Sequence, residues 1–98
     1  MPLPIVASAR AQLQVAVIVD YLNERNPAAG RRFLDRLKAA YRQLSDFPLS
    51  GARASAADTR RLVIAPYVLT YRVASASVEI LDIRHGRQRG MPPPEDAV

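Results

Sequence analysis

Apolar residues recur at helical spacing on both sides of Asn26-Pro27 and at strand spacing after residue 60, and this change of period limits the fold most. Before the junction, Ala11, Val15, Ile18 and Leu22 follow one another at intervals of four, three and four, the spacing of one buried helical face. Ser8 stands where a hydroxyl can accept from the open amides of the first turn. Leu13 and Val17 form a second apolar ridge, which implies either wide burial of this helix or an exposed strip that a partner covers. At the junction, Asn26 suits the cap position and Pro27 the first helical position, where its missing amide costs nothing. The second helix carries Ala29, Phe33, Leu37, Ala40, Tyr41 and Leu44 on one face. Arg31, Arg32, Asp35, Arg36, Lys38 and Arg42 cover the rest as a solvated face. Two antiparallel helices joined by a tight turn follow, with Tyr21 and Tyr41 expected in the core.

Phe47-Pro48 and Ser50-Gly51 end the hairpin, and a polar, alanine-rich loop runs to about Asp58. Strands are expected at residues 61–64, 67–73 and 78–84, with Ala65-Pro66 as one turn and residues 74–77 as a hairpin loop. Residues 2–6, short and apolar, read as a strand ahead of the helices. Strict alternation puts Tyr67, Leu69, Tyr71 and Val73 on one side with Leu81 and Ile83, facing the helices. Val68, Thr70 and Arg72 share the open side with Asp82 and Arg84, and Arg72 is expected to pair with Asp82 across the strands. The fold class is α+β: an N-terminal strand, an antiparallel helical hairpin and a three-stranded antiparallel meander, in two layers. Residues 1–90 make one domain. Met91-Pro92-Pro93-Pro94 cannot continue a strand, so 91–98 is expected to trail as a flexible tail.

With 98 residues there is room for one domain and a thin core. The absence of cysteine excludes a disulfide framework and a thiolate metal site, and a single histidine, His85, excludes a histidine cluster. No apolar run approaches the ~18 residues of a membrane span and no signal-peptide pattern opens the chain. A cytoplasmic protein without cofactor or metal is the expectation. Charge says more: 14 basic residues against 9 acidic, a net +5, and every basic residue but Lys38 is arginine. A planar guanidinium suits phosphates and carboxylates, so nucleic acid or an acidic protein is the partner this surface fits. A GC-rich genome would also favour arginine over lysine, though it leaves the net charge unexplained.

Several segments in order then resemble the RelE/ParE superfamily. They are Tyr21-Leu22 closing the first helix, Asn26-Pro27-Ala28-Ala29 opening the second, and Leu44-Ser45-Asp46-Phe47-Pro48 followed by Gly51. The run from Arg61 through Ala65-Pro66-Tyr67 to Val73 and the terminal Ile80-Leu81-Asp82-Ile83-Arg84-His85-Gly86-Arg87 complete the pattern, which spans roughly residues 3–89. The resemblance implies a toxin of a type II toxin–antitoxin module, of the plasmid-stabilising kind, silenced by a cognate antitoxin. Members similar to RelE cut messenger RNA in the ribosomal A site without a metal; members similar to ParE inhibit DNA gyrase and are not nucleases.

The residues lean toward the second activity. Metal-free RNA cleavage needs an acid, a base and cations for the developing phosphorane charge. RelE-like toxins carry an arginine directly after the tyrosine that starts the middle strand, whereas Val68 follows Tyr67 here, and no tyrosine follows Arg89. A ribonuclease would have to use His85 with Arg61, Arg84 and Arg87; the plainer reading of His85 is a half-buried ring bonded to backbone. The expectation is therefore a ParE-like toxin that binds gyrase through Arg84, Arg87 and Arg89 and meets its antitoxin through Leu13 and Val17. The alternatives are a RelE-like endoribonuclease acting on ribosome-bound mRNA and a degenerate, non-toxic module that only pairs with an antitoxin.

Overall fold

The computed structural model describes residues 1–87. In chain order the elements are β1 (Ile5–Ala7), α1 (Ala9–Arg25), α2 (Pro27–Asp46), β2 (Ala52–Arg53), β3 (Thr59–Ile64), β4 (Tyr67–Val73) and β5 (Val78–His85). The strands form one sheet in the order β1-β5-β4-β3-β2, with β1 parallel to β5 and the other pairs antiparallel. Both helices lie against one face of it, making the expected two-layer α+β domain.

Local chemistry sets the helix boundaries. The Ser8 hydroxyl accepts from the Ala11 amide at 3.0 Å, and the Asn26 side chain accepts from Ala28 with Pro27 at the first helical position. Ala11 on α1 and Phe33, Leu37, Ala40 and Leu44 on α2 are buried against Ile64, Tyr67, Leu69, Tyr71, Val78, Ile80 and Ile83 of the sheet. Tyr41 packs at the margin of this core. Tyr21 does not: it is 50% exposed, with the Arg25 guanidinium 4.0 Å above its ring. Spacing explains the difference, since Tyr21 lies four residues after Val17 and so falls on the second ridge rather than the buried one.

The sheet departs from strict alternation at one point. Tyr71 pairs with Ile80 and Thr70 with Asp82, so Leu81 is an extra residue, a β-bulge. It reverses the parity of β5, and Val78 and Ile80 ahead of the bulge face the helices together with Ile83 beyond it. Leu81, expected in the core, is only partly buried. The same shift places Glu79 opposite Arg72, and those two pair at 2.7 Å in place of the expected Arg72–Asp82 bridge.

Two strands also differ from expectation. β1 begins at Ile5 rather than residue 2, because Pro2 and Pro4 have no amide to give a ladder and the Leu3 amide donates instead to the Ser45 carbonyl on α2. Within the expected loop, Ala52 and Arg53 pair with Arg61 and Arg60, adding a two-residue edge strand to the meander. That connection is fastened to the core by Tyr71, whose hydroxyl accepts from the Gly51 amide at 2.9 Å and donates to the Pro48 carbonyl at 2.8 Å. A β-carbon on Gly51 would stand 2.6 Å from the Arg61 carbonyl, so the closeness of this approach requires glycine.

Tyr71→Phe orphans the buried Gly51 amide, and an unfolding midpoint in urea should report a loss of about 1–3 kcal/mol. Unchanged stability would show that the hydroxyl does not fasten the loop.

Candidate functional site

Three cross-strand rows run over the sheet face turned away from the helices. Val63, Val68 and Arg84 form one, Arg61, Thr70 and Asp82 the next, and Thr59, Arg72 and Glu79 the third. The end of β5 is held from its edge. Where β1 stops, α1 takes over: the Ser8 amide donates to the Ile80 carbonyl at 2.9 Å and its hydroxyl to the Leu81 carbonyl at 3.1 Å. Gln14 then accepts from the Ile83 amide at 2.8 Å and donates to Asp82 Oδ1 at 2.9 Å. Asp82, nearly buried, binds the Arg84 guanidinium at 2.8 and 3.2 Å. A half-buried, charge-assisted pair of this kind holds an arginine in one direction better than two fully exposed partners do.

His85 lies on the opposite face. It is paired in register with Tyr67, and the two rings meet edge to face with centroids 5.6 Å apart. Tyr67 in turn meets Phe33 of α2 at 5.1 Å. The His85 Nδ1 accepts from the Arg87 amide at 3.1 Å. The sheet therefore brings Arg84 and Arg61 to one side, two strands apart along its width, and puts His85 on the other. Arg87 is exposed just past β5, and Arg89 lies outside the described residues, as do residues 91–98. Val68, at the position where RelE-like toxins carry an arginine, is 7% exposed.

Burial pushes the Tyr67 phenol above its ordinary range, and the nearby Tyr21 hydroxyl adds to the rise. Burial raises Tyr41 as well. No group of three His, Cys, Asp or Glu close enough for a metal occurs among the described residues, and none of their helices is long and apolar enough to cross a membrane. A hollow of about 490 Å³ opens at the other end of the sheet, lined by Arg53, Arg60, Arg72 and the 54–59 connection. Two of its cations are already engaged: Arg60 donates to the Leu49 and Gly51 carbonyls and Arg72 is paired with Glu79.

On the helical layer, Leu13 and Val17 are 66% and 58% exposed, and Tyr21 continues the ridge one turn further. Of the two readings open from sequence, exposure is the one realised. The four-residue interval from Val17 to Tyr21 was the signal that Tyr21 belongs to this strip. Nothing local in the sequence marks Gln14, whose partners are 68 and 69 residues away.

Fold and faces together define a small two-layer domain of the RelE/ParE toxin class. A chain in a solved structure of the chromosomal ParDE toxin–antitoxin system of P. aeruginosa shares the fold, with a TM-score of 0.73, 17% identity, and coverage of 85% of this chain and 95% of that one. Toxin RelE2 of Caulobacter vibrioides is 38% identical over 76 residues, covering 78% of this chain and 86% of its own length. Toxin RelE1 of the same organism is 31% identical over 93 residues, covering 91% and 99%. The family model described as "ParE toxin of type II toxin-antitoxin system, parDE" matches residues 5–90. The chain belongs to this ParE toxin family, and an antitoxin is its partner.

Since Tyr67 and Tyr41 are held neutral by burial, their contribution to stability is complete below pH 10 and disappears as pH rises through their higher folded values. Thermal melts between pH 9 and 11.5 should show this loss, and Tyr67→Phe should flatten it while keeping the ring contacts. An equally steep loss in the variant would show that Tyr67 is not the group responsible.

Proposed function

We propose that this toxin acts by binding DNA gyrase, without chemistry of its own, and is neutralised by an antitoxin that covers the Leu13–Val17–Tyr21 ridge. The separation of His85 from Arg61 and Arg84 by the thickness of the sheet carries the reading. Proton transfer and phosphorane stabilisation must meet within hydrogen-bond reach of one phosphate. Across this sheet they face in opposite directions. The exposure of Val63, 67% open in the row it shares with Val68 and Arg84, supports the same reading, because it sets an apolar side chain beside cations on the open face, a composition suited to docking. Arg84, aimed by Asp82, and Arg87 at the strand end are the groups assigned to the target, with Arg89 following them in sequence.

The antitoxin assignment rests on apolar exposure. Three large side chains at four-residue intervals along an exposed helix make a stripe that an amphipathic segment can cover, the usual mode for a helix in a groove. The stripe lies on the same helix as Gln14, whose side chain reaches Asp82, the partner of Arg84. An acidic flank on the antitoxin would complement the net +5 of the toxin.

The name RelE borne by the Caulobacter relatives favours the second reading, a ribosome-dependent endoribonuclease using His85. The two readings separate in purified systems. Gyrase supercoiling should fall as the toxin is added, and Arg84→Glu combined with Arg87→Glu should weaken inhibition by roughly tenfold or more. Full supercoiling at saturating toxin, together with A-site cleavage in translating ribosomes that His85→Ala abolishes, would replace the gyrase reading with the nuclease one. For the antitoxin, Leu13→Asp with Val17→Asp should loosen the complex by about tenfold or more and leave the melting temperature of the free toxin nearly unchanged. Unaltered antitoxin affinity would move the docking site elsewhere.

A further inference from the structure

The outward face of α2 is charged in a way that helix stability does not explain. Arg31, Arg32, Arg36, Lys38 and Arg42 are all exposed, and among the described residues none forms an ion pair. Arg32 and Arg36 stand at i and i+4, as do Lys38 and Arg42, so like charges occupy the spacing at which opposite charges would stabilise. Asp35 lies four residues after Arg31 and three before Lys38, yet bridges to neither. The ends are also charged against the helix dipole. No acidic residue occupies the first turn and no basic one the last, while two arginines follow close on the first turn and Asp46 closes the helix. A helix selected only for stability and solubility would alternate its signs and reverse this gradient.

Charge placed at the expense of local stability marks a surface that binds something. The geometry points to duplex DNA, held by its phosphate backbone along α2. From Arg31 to Arg42 the helix rises about 16 Å, which is about five base-pair steps of 3.4 Å. The basic side chains leave the helix in two rows, Arg31, Lys38 and Arg42 on one flank and Arg32 and Arg36 on the other, with Asp35 between them. A straight double row of cations fits the regular backbone of a duplex better than an irregular single strand. This face is on the helical layer, opposite the face assigned to gyrase. A toxin bound to gyrase by Arg84 and Arg87 would thus turn α2 toward whatever DNA lies beyond it. The inference depends on the gyrase reading only for the source of that DNA; binding to the duplex itself does not.

The test uses the purified full-length chain and a labelled 30-base-pair duplex of arbitrary sequence, followed by fluorescence anisotropy from 50 to 200 mM salt. With about four phosphates neutralised, log affinity should fall against log salt with a slope of about −3 to −4. Arg32→Gln with Arg36→Gln should weaken binding about tenfold or more at low salt and reduce the slope by about 2. Its melting temperature should be no lower than that of the wild type, because a repulsive pair has been removed. Lys38→Gln with Arg42→Gln repeats the test on the other row should the first variant fold poorly. Unchanged affinity and slope in both variants overturn the proposal, as does wild-type binding to single-stranded RNA that is tighter than to the duplex. No gyrase is present in this assay, so a failure here is distinct from a failure to inhibit supercoiling.

Discussion

Everything at the working end of this protein depends on one extra residue in β5. Leu81 has no partner on β4, and its insertion turns the rest of the strand over. Ahead of it Val78 and Ile80 face the helices; beyond it Ile83 and His85 do so and Asp82 and Arg84 face away. A bulge at a sheet edge leaves backbone groups without ladder partners, and burying them unpaired would cost about 1–3 kcal/mol each. Here Ser8 and Gln14 supply those partners, taking up the Ile80 and Leu81 carbonyls and the Ile83 amide. The first helix is thereby both the cover of the core and the missing neighbour of β5.

The consequence is a molecule whose surfaces are divided by the sheet. The aromatic row of Phe33, Tyr67 and His85 belongs to the helical side and is held by packing. The arginine face belongs to the other side, where Asp82 gives Arg84 a fixed bearing while taking its own second donor from Gln14. A third surface, the Leu13–Val17–Tyr21 ridge, and a fourth, the basic flank of α2, are on the helices. Under the proposed function, this division offers the antitoxin and the target surfaces of different chemistry.

Much of this was legible in the sequence wherever the determinants were local. Ser8, Asn26 and Pro27 announce helix starts because a cap needs only the three residues that follow it. The apolar periods identified α1, α2, β3, β4 and β5, and the parity of β4 held along its length. The misplacements share one cause, contact between distant segments. Alternation places Leu81 inward, whereas its bulge depends on Ser8 and Gln14, far back along the chain. Arg72 found Glu79 rather than Asp82 because the bulge moved the register by one. The two-residue β2 was invisible, since nothing so short carries a period and its place is set by Tyr71 gripping Gly51. Residue type places Tyr21 in the core, although its spacing from Val17 points outward. For the site, residue types named Arg61, Arg84, Arg87 and His85, but which of them share a face was a question of register.

That register can be tested directly by nuclear Overhauser contacts in the labelled full-length chain. The structure predicts cross-peaks from the His85 ring protons to the rings of Tyr67 and its neighbours on the helical side, with the Ile83 amide protected from exchange by Gln14. Cross-peaks from His85 to the Val63 and Val68 methyl groups instead would mean that β5 runs one residue out of this register. His85 would then share a face with Arg61 while Arg84 turned to the helical side, and the division on which the account depends would be gone.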